Sequence, residues 1–233
     1  MRVINNFISP ESNNFMIDML KNPDTLNIFS DASMRPRGNN VYDTCYGAVA
    51  VNQDVIVEEL FRINSSSTVP AAEIRGVRCS LRLALKYRYQ FRIINIFSDS
   101  QVALFGLRDY IYGWKYSCGN LINRSAKIVK NQELFIEIYL MLEELRKTNI
   151  VNLYHQPGHV ENGMNSIKNA VEVFKRSNSV KGFIDYSVIR YISLYNNYVD
   201  NKSRSIIKDT NVKELIFKDP VKFYIESNLI NNN

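Results

Sequence analysis

The sequence is poor in the residues that build disulfide and zinc scaffolds. Its 233 residues include three cysteines and two histidines. The cysteines are odd in number, and Cys45, Cys79 and Cys118 form no C-x-x-C pair. A disulfide framework or a structural zinc site is therefore not expected. We expect reduced thiols and an intracellular location.

Long apolar runs are missing as well. No stretch of about 18 consecutive apolar residues occurs, so no transmembrane helix is predicted. The N-terminal segment MRVINNFISPESNNF lacks the apolar core of a signal peptide. Hydrophobic residues nevertheless make up 45% of the chain and charged residues 22%, which argues for a folded core and against disorder. The net charge of +6 is compatible with a polyanionic partner but does not require one.

Three strands are predicted near the start of the chain. They are LNIFSDAS at 26–33, CYGAVAVNQD at 45–54 and VIVEELFRI at 55–63, with a hairpin turn at 52–54. The stretch at 34–44 has the composition of a loop. These strands are expected to form an antiparallel meander.

Helices and strands alternate after the meander. Apolar residues at helical spacing predict an amphipathic helix over 70–88, and the apolar run at 92–98 predicts a buried parallel strand. Helices are predicted at 101–113 and 131–148, followed by a fifth strand at 150–156. A right-handed crossover through the first helix would place the fourth strand parallel to the first. We therefore predict an α/β fold with a mixed five-stranded sheet, three strands antiparallel and two parallel, flanked by helices.

The chain divides into a main domain and additional segments. Residues 1–25 are interpreted as an N-terminal extension, 26–207 as the domain and 208–233 as a C-terminal tail. Within the domain, 161–195 is interpreted as an insertion containing two helices.

Two segments, IFSDAS and IFSDSQ, end an apolar strand with a similar polar pattern. They place Asp31 and Asp99 at the ends of strands expected to be parallel neighbours. The two carboxylates would then lie close together and repel each other unless a cation sits between them. The alternative for Asp99 is a helix cap, because a helix is predicted directly after it.

Three further candidates come from helices and loops. Glu73 is expected in the first turn of the 70–88 helix, where small neighbours would let the helix approach the sheet and direct the carboxylate inward; the alternative is a Glu that only complements the helix dipole. Asp200 shares a helix face with Asn196, four residues earlier, although a lone Asp is more often a surface residue. His159 lies on a loop after the fifth strand and is either incidental or a mobile proton carrier.

The order of these residues resembles the type 1 ribonuclease H family. That family shows strand-Asp, helix-Glu, strand-Asp-Ser, Gly-His and Asn-x-x-x-Asp in this chain order. The matching positions are Asp31, Glu73, Asp99-Ser100, Gly158-His159 and Asn196 with Asp200. The resemblance covers about residues 26–160 and 196–207.

The resemblance implies an endoribonuclease that hydrolyses the RNA strand of RNA–DNA hybrids with little sequence preference, leaving a 5′-phosphate and a 3′-hydroxyl. It implies two Mg²⁺ ions, with Mn²⁺ as a substitute, held by the four carboxylates. Asp31 would bridge both ions, Asp99 and a loosely placed Asp200 would hold the first, and Glu73 would hold the second and contact a 2′-hydroxyl. His159 would relay protons or assist product release. The residues implied to contact the substrate are Ser33, Thr68, Gln101, Trp114, Asn131 and Asn196.

The sequence also departs from the family pattern. Ala32 follows the first Asp where the family has Gly, and Val69-Pro70 replaces a polar pair. The segment at 161–195 could gate the groove, bind a protein partner or be decoration. Two other functions stay open at this point: a DNA nuclease or resolvase on the same fold, and a non-catalytic nucleic-acid-binding module.

Overall fold

The computed structural model describes residues 20–38, 41–52, 55–65, 68–158, 160 and 163–208. Strands β1 (Thr25–Gly38), β2 (Val41–Asn52) and β3 (Val55–Ser65) form the predicted antiparallel meander. Helix α1 (Val69–Tyr87) then crosses over to strand β4 (Ile93–Ser98).

The second half of the described chain adds helices and one more strand to the sheet. Helix α2 (Gln101–Phe105) continues through a π-turn and a 3-10 turn to Gly113. A small hairpin of β5 (Lys115–Ser117) and β6 (Asn120–Ile122) follows. The remaining elements are α3 (Gln132–Arg146), β7 (Ile150–His155), α4 (Met164–Asn178) and α5 (Tyr186–Lys208).

The main sheet has the strand order β3-β2-β1-β4-β7. Strand β4 is parallel to β1, with Ser98 opposite Ser30, and β7 is parallel to β4, with His155 opposite Ser98. The predicted mixed five-stranded α/β sheet is therefore confirmed. The parallel pairing of β1, β4 and β7 stops at Ser30, Ser98 and His155, which is the edge where α/β folds place their functional residues.

Side chains alternate between two cores along β1, as strand geometry requires. Leu26 and Ile28 face α1 and α3 in one buried cluster. Phe29 faces the opposite side, where its ring stacks on Phe97 at 4.8 Å between ring centroids and helices α4 and α5 cover it. The sheet is thus buried on both faces, which explains the nearly continuous apolar runs of β1 and β4.

The loop predicted at 34–44 is wrong. Strands β1 and β2 continue as a hairpin to Gly38 and from Val41, with Arg35 opposite Asp43. The buried carboxylate of Asp43 is compensated by ion pairs with Arg37 and, at 3.4 Å, with Arg62 on β3. Ion pairing across three strands therefore stabilises a segment whose composition is typical of a loop.

The β5–β6 hairpin was not predicted. Its strands have three residues each, too few for a recognisable alternation. Cys118 and Gly119 connect them, both with positive φ. Positive φ at both turn residues is typical of a tight hairpin turn, and a Cys-Gly pair is a weak sequence signal for one.

The two helices predicted within 161–195 are present as α4 and the first half of α5. The second does not end at 195 but continues without a break through Asp200. The division into extension, domain, insertion and tail stays a prediction. No helix in the described part of the chain is long and apolar enough to cross a bilayer.

Candidate active site

Two carboxylates lie side by side where the parallel pairing of β1 with β4 ends. Ser30 and Ser98 are paired in register, and Asp31 and Asp99 are the residues that follow them. The backbone N–H of Ala32 donates a hydrogen bond of 2.7 Å to Oδ1 of Asp31. Burial, together with the nearby charges of Asp99 and Asp200, raises the pKa of Asp31 to about 8. A carboxyl in this position is poorly suited to carry its charge unless a cation compensates it.

Glu73 reaches the same place from helix α1. The helix begins one residue earlier than predicted, with Thr68 as N-cap, so Glu73 lies in the second turn and not in the first. Gly76 explains how the helix comes so close to the sheet, because a Cβ there would lie 3.1 Å from the carbonyl oxygen of Asp31. The hydroxyl of Ser100 donates to Oε2 of Glu73 at 2.7 Å and holds the carboxylate toward β4.

Asp200 approaches from the opposite layer, on helix α5. It is 7% exposed and is not the surface residue that its sequence context suggested. Nε of Arg204 lies 2.7 Å from Oδ1 of Asp200, and the hydroxyl of Ser33 donates to the same oxygen at 3.3 Å. Two donors therefore hold the carboxylate of Asp200 in this structure, and its looser hold on a metal ion stays a prediction.

These four carboxylates share one cleft of about 530 Å³. They come from a strand, two helices and the segment that follows a second strand. The lining residues are Asp31, Ala32, Ser33, Met34, Arg35, Glu73, Asp99, Asp200, Arg204 and Ile207. Four of the ten lining residues are thus acidic, and two are arginines.

The four carboxylates are not directed at one common position in this structure. Among the described residues, no three His, Cys, Asp or Glu side chains are arranged so that they could hold a metal ion as they stand. Hydrogen bonds explain part of this spread, because Glu73 is turned toward Ser100 and Asp200 toward Arg204. A shared cation would require these side chains to rotate toward each other.

The residues that the family resemblance implies as substrate contacts lie in different surroundings. Ser33 lines the cleft, whereas the others are not among its lining residues. Thr68 caps α1 by accepting from the N–H of Ala71 at 3.3 Å, and Gln101 is exposed at the start of α2. Trp114 packs edge-on against Phe135 with 5.0 Å between ring centroids.

Two of these residues, Asn131 and Asn196, have a structural role: one has an unusual backbone conformation and the other is buried. Asn131 adopts a left-handed conformation at the start of α3, with φ of 56°. Asn196 is 2% exposed, and its amide oxygen accepts a hydrogen bond from Gln156. The side chain of Asn196 thus connects α5 to the residue that follows β7 in this structure, and its implied contact with nucleic acid stays a prediction.

His159 lies outside the described residues, but its neighbour Gly158 is part of the site. A Cβ at Gly158 would lie 2.8 Å from Oδ2 of Asp99, so any other residue there would force this carboxylate to shift. The close approach of Asp99 therefore gives a steric reason for the glycine in the Gly-His pair of the family pattern.

Two residues of the site were missed by sequence reasoning. His155, the last residue of β7, places Nε2 3.1 Å from the carbonyl oxygen of Asp99, and burial lowers the pKa of its imidazole. A neutral imidazole can donate this hydrogen bond through Nε2 and so fix the backbone that carries Asp99. Arg204 had a signal, since an Asp and an Arg four residues apart on a helix form a pair. The role of His155 depends on strand register and has no local signal.

Comparison with known proteins gives a family match and several distant structural likenesses. A sequence model of the family described as RNase H matches residues 23–171. No curated protein matches the chain. Among solved structures, RNase H1 from the archaeon Halobacterium salinarum is 21% identical, with 57% of this chain and 86% of that chain covered and a TM-score of 0.40.

Two further structures are similar to the same extent. The N-terminal RNase H domain of a Mycobacterium tuberculosis protein is 18% identical, with 66% of this chain and 98% of that chain covered and a TM-score of 0.41. The RNase H domain of prototype foamy virus is also 18% identical, with 66% and 93% covered and a TM-score of 0.43.

Proposed function

The chain belongs to the RNase H family, and from this premise we propose that it is an endonuclease that hydrolyses the RNA strand of RNA–DNA hybrids with the help of divalent metal ions. One observation carries the proposal: four carboxylates from four separate elements line a single cleft at the carboxyl edge of the sheet. A non-catalytic binding module would have no need for this arrangement, since like charges at close range are unfavourable without a cation.

The carboxylates suit Mg²⁺, with Mn²⁺ as a substitute, because these cations prefer oxygen ligands. Asp31, Glu73, Asp99 and Asp200 are the residues that would hold the ions. Bound there, divalent ions would supply a nucleophilic water at neutral pH and neutralise charge on the leaving oxygen. The fit rests on the chemistry of the donors and on the raised pKa of Asp31, which a nearby cation would reverse.

The neighbours of the carboxylates have positioning roles in this proposal. Ser100 orients Glu73 by donating to Oε2, and the N–H of Ala32 orients Asp31. Glu73 would also be the group that meets the 2′-hydroxyl, the feature that distinguishes RNA from DNA. Second-layer contacts of this kind fix the ligand geometry before the substrate arrives. The expected products are a 5′-phosphate and a 3′-hydroxyl, and proton transfer by His159 stays a prediction.

Binding of the hybrid would depend mainly on phosphate contacts. Arg35 and Arg204 line the cleft, and both side chains are exposed. Contacts of this kind are independent of sequence and weaken steeply as salt concentration rises. A protein partner bound through residues 161–195 stays a prediction.

The test is cleavage of a hybrid labelled on its RNA strand, in Mg²⁺, Mn²⁺ or EDTA. Four alternative substrates are tested in parallel: duplex DNA, duplex RNA, a DNA four-way junction and single strands. We expect metal-dependent cutting of the hybrid RNA that is abolished by Asp99→Asn. Asp24→Asn is the matched control, because Asp24 is exposed at the opposite end of β1.

Each other outcome contradicts a stated part of the proposal. Cutting of DNA junctions or duplexes in place of the hybrid would refute the substrate and leave a nuclease of another specificity. Tight binding of the hybrid without any cutting would refute the catalytic role. Equal activity in EDTA and Mg²⁺ would refute the use of a metal.

A further inference from the structure

The fourth carboxylate of the cleft is held by a positive charge. Arg204 lies one helical turn after Asp200 on α5, and its Nε is 2.7 Å from Oδ1 of Asp200. The side chain of Asp200 is 10% exposed, whereas that of Arg204 is 52% exposed. The carboxylate is therefore enclosed, while the guanidinium lies at the boundary with solvent.

Two other carboxylates of the cleft, Glu73 and Asp31, are held by neutral donors. Glu73 accepts from the hydroxyl of Ser100, and Asp31 accepts from the backbone N–H of Ala32. Both donors are neutral, so neither brings a positive charge to its carboxyl group. Hydrogen bonds with an ionised donor are the stronger kind and compete more effectively with a second cation.

The charge of Arg204 also extends across the cleft. Its guanidinium lowers the pKa of Asp31, opposing the effects of burial, Asp99 and Asp200. It lines the same cleft as the four carboxylates. In the absence of metal, Arg204 thus supplies positive charge in the cleft where a divalent ion would bind.

We propose that Arg204 is an internal counter-ion that competes with the divalent cation for Asp200. The inference rests on the proposed function, and Arg204 would be one residue that sets the affinity of the site for the metal ion. A metal ion that takes Asp200 as a ligand must share the charge of its carboxylate with Arg204 or displace the guanidinium. The pair would also help to explain why the carboxylates do not converge in this structure, since Asp200 is held toward its own helix.

The experiment is a titration of the full-length free protein with Mn²⁺ by calorimetry, at constant ionic strength and without nucleic acid. Arg204→Gln removes the counter-ion, and Arg190→Gln is the matched control because Arg190 is another exposed arginine on α5 and its loss changes the net charge equally. We expect Arg204→Gln to bind Mn²⁺ about threefold to tenfold more tightly, as loss of a competing ion pair of ordinary strength predicts. Arg190→Gln should leave the affinity unchanged.

Thermal unfolding separates this role from a structural one. With Arg204→Gln we expect a lower melting temperature in EDTA and a larger increase on saturation with Mn²⁺ than for the wild type. An equal loss of stability in both conditions with unchanged affinity would overturn the inference. Weaker binding of Mn²⁺ would overturn it too, because Arg204 would then orient Asp200 for the metal.

A second variant and a wild-type control distinguish failure of this inference from failure of the proposed function. If Arg204→Gln does not fold, Arg204→Lys provides the test, because lysine keeps the charge but loses the planar guanidinium, and affinity should increase by a smaller factor. Unchanged affinity in that variant would count against the competition. If the wild type binds no Mn²⁺ and Asp99→Asn behaves identically, the metal-dependent function itself is refuted, and the inference with it.

Discussion

Replacing Asp31 with Asn is expected to stabilise the metal-free protein. Burial, and to a smaller extent the charges of Asp99 and Asp200, raise the pKa of this carboxyl from the ordinary value of 3.8 to about 8. An amide has nearly the same shape, keeps an oxygen that can accept from the N–H of Ala32, and carries no charge to desolvate. A residue needed for activity would thus be a liability for folding, as is common at functional sites.

The magnitude follows from the linkage between protonation and folding. Because the folded pKa lies above the unfolded value, the contribution of Asp31 to stability is complete below about pH 4 and is lost as the pH rises toward 8. The interval from 3.8 to pH 7 spans about 3 pH units at about 1.36 kcal/mol each, so the loss at pH 7 is at most about 4 kcal/mol. We expect Asp31→Asn to recover about 1–3 kcal/mol at pH 7–8, or about 2–12 °C in melting temperature for a chain of this size.

The assay is thermal and urea unfolding in EDTA between pH 5 and 8.5. The difference between variant and wild type should increase with pH and level off above about pH 8. Asp24→Asn, at an exposed carboxyl, should show no such trend. Saturating Mg²⁺ should reverse the ranking, because ligand binding stabilises only the protein that keeps the site. A variant that is no more stable than the wild type at pH 8 in EDTA, or a difference independent of pH, would refute the reasoning.

Two further predictions concern the groups that orient the carboxylates. Ser100→Ala removes both the N-cap of α2 and the donor to Glu73, so we expect about 1–2 kcal/mol lower stability by urea unfolding and about 10–100-fold lower hybrid cleavage, with Ser100→Thr retaining more of both. Gly158→Ala would press on Asp99 and should lower cleavage by about 10–100-fold with little change in melting temperature. Gly163→Ala is its control, since nothing lies within 4 Å of a Cβ there, and equal activity of the two glycine variants would contradict the steric argument.

The sheet was predictable because its signals are local. The similar segments around Asp31 and Asp99 indicated two apolar strands that end in carboxylates, and the helix between them implied a parallel pairing. The 34–44 segment was not predictable in this way. Its strands depend on charge compensation of Asp43 by Arg62, 19 residues away on another strand, and composition alone carries no information about that contact.

The site was predictable to the extent that it follows the family pattern. Asp200 has a weak sequence context, and its burial results from the packing of α5 on the sheet, where Tyr195 stacks on Phe29 at 5.1 Å between ring centroids. The interior role of Asn196 and the contact of His155 with Asp99 depend on where β7 ends relative to β4 and α5. These are long-range relations, and a single sequence does not encode them in any short window.

The packing of α4 and α5 changes how the segment at 161–195 should be studied. Phe174 and Ile189 belong to the buried cluster that covers one face of the sheet, and α5 continues from this segment into the turn that carries Asp200. Deleting the segment would therefore remove half of a core and half of a site-bearing helix, so a loss of cleavage would report a loss of folding. Phe183 and Leu194 are large apolar side chains that remain exposed in the same segment. Polar substitutions at these two positions leave the core intact, and they are the variants that can separate a partner-binding role from the structural one.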